Sequence, residues 1–240
     1  MYRGLRVMGL VPVLDEERKI GDVVERIPND VVDLTLVVDD GSADSSPDVA
    51  RGKGAKVIEL GETIGVGAAI RTGFDYAVAE GFDVVVVMAG NNKDSPEEIP
   101  LLLDEMIDRG ADLVQGSRWI GSGDDFGEMP RYRKIATRLH PLLFNLISPV
   151  DLSDTTNGFR AVSTRLLADP RLDLDQRWLD EYELEVYLLY KAAKLGFVVS
   201  EVGVTKRYPP KSLGQTKMKP ITGWWSILRP LFLLGLRIKR

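Results

Sequence analysis

The chain of 240 residues has no cysteine and a single histidine. Without cysteine there is no disulfide, no thiolate nucleophile and no Cys-ligated zinc or iron–sulfur cluster. One imidazole excludes a multi-histidine metal site, and a Ser-His-Asp triad would have to run through His140. That residue lies in RLHPLLF, an apolar stretch leading into proline, where a buried or capping role is the expectation. Chemistry therefore falls to carboxylates, amides, hydroxyls, lysines, arginines or a bound ion.

Long apolar runs are missing too. None reaches the ~18 residues that suggest a membrane span. The first residues, MYRGLRVMGLVPVLDEE, meet acidic side chains before any cleavage-like site, so no secretory leader is expected there. What is present is a 44% apolar composition, enough for the core of one domain with an appendage. Of the 31 basic and 36 acidic residues, nine basic and no acidic ones fall in residues 202–240. The rest of the chain holds 22 against 36. A basic tail on an acidic body suggests an anionic partner for the tail: phosphate, an anionic lipid surface or nucleic acid. Nucleic acid is the weakest of these, because the tail's aromatics cluster instead of alternating with its basic residues.

In the first half, short β-rich runs at Val7–Leu14, Leu34–Val38, Val57–Leu60, Val84–Met88 and Leu113–Gln115 alternate with helical patterns at Glu16–Ile27, Ser45–Lys53, Val66–Glu80 and Pro96–Arg109. VVDLTLVVDD and FDVVVVMAG are apolar on both faces, as strands of a buried parallel sheet are. Such alternation predicts an α/β sheet covered by helices, with ligands at the carboxyl ends of the strands. Further on, Arg131–Ile147 and Leu179–Leu195 read as helices and Phe197–Lys206 as a strand. Gly121–Gly127 reads as a connector and the proline-rich Tyr208–Pro220 as a loop.

At the end of the second strand, VVDDGSADSS places Asp39 and Asp40 before a glycine and a serine. A carboxylate there can accept hydrogen bonds from a base or ribose, and the glycine lets a ligand approach the backbone. Pro12, Leu14 and Glu16, at the end of the first strand, would line the same edge. GVGAAIRTG lacks the spacing of a phosphate loop, so its glycines are expected to permit close helix–sheet packing.

Taken in order, VPVLDEERKI, VVDDGSADSS, ETIGVGAAIRTG, MAGNNKDSPEEI, QGSRWIGSG and DTTNGFRAVS resemble a family 2 glycosyltransferase of the dolichyl-phosphate mannose synthase-like branch. The resemblance implies a GT-A fold: α/β, Rossmann-like, with a mostly parallel mixed central sheet flanked by helices. It implies a GT-A domain over residues 1–219 and an apolar, basic appendage over 220–240. It also implies inverting transfer of a hexose-type sugar from a UDP- or GDP-sugar. By similarity Pro12, Leu14, Glu16, Val38 and Asp40 bind the nucleotide, with Asp39 supporting the turn and Ala89, Gly90 and Asn91 lining the donor. Arg118 in QGSRW contacts a donor or acceptor phosphate. Arg131, Arg133, Lys206 and Lys217 add anion contacts around a departing diphosphate.

One departure stands out. Members of the family carry an Asp-x-Asp after the fourth strand for the divalent ion, and here that triplet aligns with Ala89, Gly90 and Asn91. A hard cation prefers charged oxygens, so the need for Mg²⁺ or Mn²⁺ is open. Asn91 and Asp94 with the donor phosphates form one alternative. Lys93 placing an ammonium where the ion's charge belongs is a second, and a non-catalytic nucleotide-sugar binder is a third.

On the acceptor side, Asp154 in DTTNGFR is the leading carboxylate, with Glu183 and Glu185 in DEYELEVY as the others. A hydroxyl acceptor, such as a soluble glycan or secondary metabolite, needs a base; a polyprenyl phosphate is already ionised and needs positioning. The tail WWSILRPLFLLGLRIKR carries two tryptophans, an apolar middle and a basic end. Pro230 is expected to break a helix there. The segment either lies in a membrane interface or packs on the domain. The resemblance favours a polyprenyl (dolichyl or undecaprenyl) phosphate acceptor and a cytoplasmic protein peripheral to the membrane's cytoplasmic face.

Overall fold

Among the described residues, seven strands form one sheet in the order β3-β2-β1-β4-β6-β5-β7. They are β1 (Val7–Val13), β2 (Leu34–Asp39), β3 (Lys56–Glu59), β4 (Val84–Val87), β5 (Leu113–Ser117), β6 (Arg160–Ser163) and β7 (Val199–Gly203). The helices are α1 (Ile20–Arg26), α2 (Ser46–Gly52), α3 (Val66–Ala79), α4 (Ile99–Arg109), α5 (Arg131–Ile147), α6 (Thr164–Leu167), α7 (Glu183–Lys194) and α8 (Thr222–Gly235). The computed structural model describes residues 1–121, 126–208 and 222–239, and for 222–224 the backbone alone.

Every pairing is parallel except those of β6, which runs antiparallel to both β4 and β5. β1 is buried along its whole length, because helices cover both faces. Val7, Val11 and Val13 pack into one layer with Ile20, Val23 and Val24 of α1 and Leu102 and Leu103 of α4. Met8 and Leu10 point into the opposite layer with Ile70 and Phe74 of α3 and Leu184 and Leu188 of α7. This period-two split makes a sheet strand apolar throughout.

The glycines of α3 do permit close packing. A Cβ on Gly73 would lie 2.5 Å from Leu10 Cδ2, and one on Gly67 would lie 2.5 Å from the Glu181 carbonyl oxygen. The expected helix Glu16–Ile27 begins only at Ile20, because Glu16–Lys19 closes as a turn in which the Glu16 carbonyl accepts from the Lys19 and Ile20 amides.

Pro230 does not break the last helix, contrary to expectation: α8 continues through it. The missing N–H removes one helical hydrogen bond. Burial of Ile227, Leu231 and Leu234 offsets that loss. α8 packs on α5 and α7, and α5 likewise contains Pro141. Among the described residues no helix is long and apolar enough to cross a membrane.

Candidate functional site

Strand order reverses at β1: β2 and β3 lie to one side, β4 and the rest to the other. In such sheets the crevice outside the carboxyl ends of the strands takes the ligand. Register brings Pro12 beside Val38 and Val13 beside Asp39, and Gly90 N–H donates to the Pro12 carbonyl at 3.3 Å. Antiparallel β6 starts at this same edge, with Arg160 opposite Val87 of β4 and Gln115 of β5. One cavity of about 730 Å³ opens there.

Along one wall lie Pro12, Leu14, Glu16, Asp40, Ala89, Gly90 and Asn91, the residues expected at a nucleotide. The Ile64 and Gly65 amides donate to Asp40 Oδ1 at 2.8 and 3.0 Å. Burial raises the Asp40 pKa, these two donors oppose the rise, and the neighbouring Asp39 charge adds to it. Asp39 shapes the turn: its Oδ2 accepts from Ser42 N–H at 3.0 Å, and its Oδ1 from the Ser42 hydroxyl. Gly41 is required between them. Its φ is +76°, and a Cβ would lie 2.5 Å from the Glu62 carbonyl carbon. Val38, expected at the nucleotide, is instead fully buried in the core and does not line the cavity. As an inner-sheet residue of β2 its side chain faces the α3 layer.

The opposite wall is cationic. Arg118, Arg133, Lys93 and Lys206 line the cavity, and so does Arg160 from the GFR motif. Arg131, at the exposed start of α5, does not, and Lys217 lies outside the described residues. Most of these cations are paired. Arg118 Nε sits 2.6 Å from Asp154 Oδ2. Burial opposes its charge, but Asp154 and Tyr208 outweigh burial and raise its pKa. Arg160 Nη2 lies 3.1 Å from Glu185 Oε1, and Lys206 Nζ lies 2.5 Å from Asp94 Oδ1.

These pairs reassign the expected carboxylates. Asp154 is fully buried and does not line the cavity. Its oxygens also accept from the Arg118 and Thr156 amides, so it positions Arg118 from behind. Glu185 does face the cavity. Glu183 also lines the cavity and clamps the last helix: Arg229 Nη2 lies 2.9 Å away and the Ser226 hydroxyl donates to it at 2.9 Å. His140 is buried, and burial lowers its pKa. Its Nε2 faces the Ile227 carbonyl at 3.3 Å, which can only accept, so Nδ1 takes the Thr155 hydroxyl at 2.6 Å. The imidazole therefore ties α5, α8 and the 154–157 loop together.

Ala89, Gly90 and Asn91, the triplet that the resemblance aligns with the family's Asp-x-Asp, lie on the cavity wall. Asn91 Oδ1 is buried without a hydrogen-bond partner, one neutral oxygen where a divalent cation wants several charged ones. Asp94 is spent on Lys206, its Oδ2 accepts from the Ala89 amide at 3.4 Å, and it does not line the cavity. Among the described residues no three acidic or histidine side chains are grouped to hold an ion. The donor set does not fit a protein-held divalent cation, and the expected Asn91–Asp94 metal pair is corrected on that ground.

Lys93 differs from its neighbours in making no ion pair among the described residues. Its Nζ lies 5.1 Å from the Tyr208 ring centroid, with the Arg133 guanidinium 5.8 Å from the same ring. Burial first, then the Lys206 and Arg133 charges, lower its pKa to about 8, against weaker support from Asp94 and Glu16. Tyr182 also lines the cavity, with its phenol pushed up to about 12 by burial and the adjacent Glu181 and Glu185. Tyr182 and Tyr208 carried no motif signal. Arg160 could have been found, since it closes NGFR at the mouth of a strand.

Comparison with known proteins agrees with this geometry. The family model Glycosyl transferase family 2 matches residues 10–169. An undecaprenyl-phosphate mannosyltransferase of Micrococcus luteus is 30% identical over 89% of this chain and 88% of its own length. A dolichyl-phosphate hexose transferase of Haloferax volcanii is 32% identical over 87% of this chain and 85% of its own. Among solved structures, Mycobacterium tuberculosis glucosyl-3-phosphoglycerate synthase with UDP superposes with a TM-score of 0.69 at 21% identity, covering 98% of this chain and 80% of that one. Sequence motifs, a mostly parallel seven-stranded sheet and a donor-sized cavity at the switch point converge. The chain belongs to glycosyl transferase family 2, in its dolichyl-phosphate mannose synthase-like branch, and is a nucleotide-sugar-dependent glycosyltransferase.

Proposed function

We propose that the protein transfers a hexose from a UDP- or GDP-sugar to a polyprenyl phosphate at a membrane surface, with inversion at the anomeric carbon. Relatives named for undecaprenyl- and dolichyl-phosphate transfer support the acceptor class. The observation that carries the reading is the cavity itself, which joins a nucleotide edge to a cationic wall and then to an apolar rim. Asp40 and the Pro12–Leu14 backbone receive the nucleoside. The acceptor phosphate, already ionised, is held by Arg118 and Arg160 with no base required. Its oxygen forms the new bond to the anomeric carbon while the bond to the diphosphate breaks, and the electron pair leaves with the nucleoside diphosphate. Cations facing that leaving group are what speed such a step.

The rim explains how a lipid would arrive. Most large apolar side chains left exposed belong to α5 and to the end of the chain. Leu139, Leu142 and Leu146 of α5 are 53%, 61% and 81% exposed, and Trp225 and Phe232 of α8 also face out. Tyr132 and Trp225 lie on both this face and the cavity. Arg131, Lys134 and Arg138 flank it on α5, and Arg237 and Lys239 follow α8, matching an anionic bilayer surface with apolar residues at the headgroup boundary. Incubation with labelled UDP- and GDP-hexoses and a polyprenyl phosphate, followed by organic extraction, tests the reading. Label in a lipid-phosphate sugar is expected; label passing only to water or to soluble acceptors overturns it.

A further inference from the structure

Resting on that donor reading, the lack of an acidic pair at Ala89–Asn91 raises a narrower question: what neutralises the diphosphate? Arg118, Arg160 and Lys206 each face a carboxylate at ion-pair distance, which answers part of their charge from within the protein, and Arg118 and Arg160 serve the acceptor phosphate. Lys93 is not answered in this way. It sits two residues beyond Asn91, in the loop that leaves β4, and lines the cavity.

The loop is held in place independently of any ligand. Arg207 N–H donates to the Lys93 carbonyl at 2.9 Å, and an isolated antiparallel bridge joins Asp94 to Lys206. The segment after β7 is thereby laid along the loop, setting Tyr208 against the Lys93 ammonium. Asp94 is paired with Lys206 and does not line the cavity, and Glu16, which does, is paired with Lys19, while the Lys93 ammonium faces the cavity. Both features favour an anion over a cation there.

We propose that the Lys93 ammonium, backed by Arg133 and Lys206, neutralises the donor diphosphate in place of a protein-held divalent ion, so that this chain binds its nucleotide without metal. The ammonium is a compact point charge with three donors, suited to phosphate oxygens at a fixed place. Tyr208 supports its stem and face while offering no anion to compete with the ligand.

The test is calorimetric titration of the full chain with UDP and with GDP, in EDTA and in Mn²⁺ or Mg²⁺. The expected result is binding of one nucleotide with the same Kd in EDTA as with metal. Lys93→Ala should weaken that binding roughly tenfold or more, as loss of a charge-assisted contact does. Lys93→Arg should restore most of it. Binding seen only with metal overturns the inference while leaving the donor reading intact. Binding without metal that Lys93→Ala leaves unchanged also overturns it. Failure of both nucleotides to bind with or without metal overturns the donor reading and the inference together. The wild-type metal titration stands even if a variant does not fold.

Discussion

Lys93→Met removes the ammonium while keeping an unbranched apolar stem. In the folded chain the ammonium is held at about 8 against an ordinary 10.5. Such a difference makes the protonated form ~3 kcal/mol less favourable in the folded than in the unfolded chain. Lys93 keeps partial access to solvent, and screening reduces the expected figure to ~1–3 kcal/mol. The sign follows from the direction. A lysine whose folded pKa is lowered costs stability fully below about pH 8. That cost fades as pH rises towards 10.5, where the unfolded chain also loses the proton. Lys206 and Arg133 oppose the charge, Asp94 and Glu16 favour it, and none is altered by the substitution. Lys93→Met should therefore be more stable than wild type near neutral pH, with the gain shrinking as pH climbs. Urea unfolding across that range measures it. A variant that is less stable, or a gain that does not change with pH, would refute the crowding of the Lys93 ammonium by burial, Lys206 and Arg133.

Other outcomes follow from the same geometry. Asp154→Ala leaves the buried Arg118 without its partner and should cost ~3–5 kcal/mol in chemical denaturation; a loss below ~1 kcal/mol would mean Asp154 does not hold Arg118. Gly67→Ala drives a Cβ into the Leu179–Glu181 carbonyls and should lower stability by ~1–3 kcal/mol, read as a drop in Tm. Leu142→Glu with Leu146→Glu alters only exposed positions of α5. Stability should hold within about 0.5 kcal/mol per site, while flotation with anionic vesicles is lost; unchanged flotation would remove α5 from the docking face.

Much of this arrangement was readable in the residues. The both-faces-apolar runs marked β2 and β4, an apolar run marked β1, and α5 spans the expected Arg131–Ile147, because long periodic segments declare themselves. The turn after β2 was legible because Asp39, Gly41 and Ser42 do local work visible in local sequence. β6 was not, since Arg160–Ser163 offers only two apolar residues and takes its strand conformation from β4 and β5 on either side. With β6 missed, so was the reason that NGFR returns to the site. Whether Asp154, Glu183 or Glu185 faces the cavity depends on which cation each meets from a distant element, and no spacing encodes that. Pro230 misled for a similar reason: the local cost of proline in a helix is real, but contacts of α8 with α5 and α7 override it.

If side-chain cations hold the diphosphate where the family's acidic pair is missing, transfer needs no added metal. The most direct measurement is the initial rate of hexose transfer to polyprenyl phosphate by the wild-type chain, first in EDTA and then with increasing Mn²⁺. Full transfer in chelator and no dependence on added metal are expected. Transfer that is absent in EDTA and rises with Mn²⁺ would contradict this.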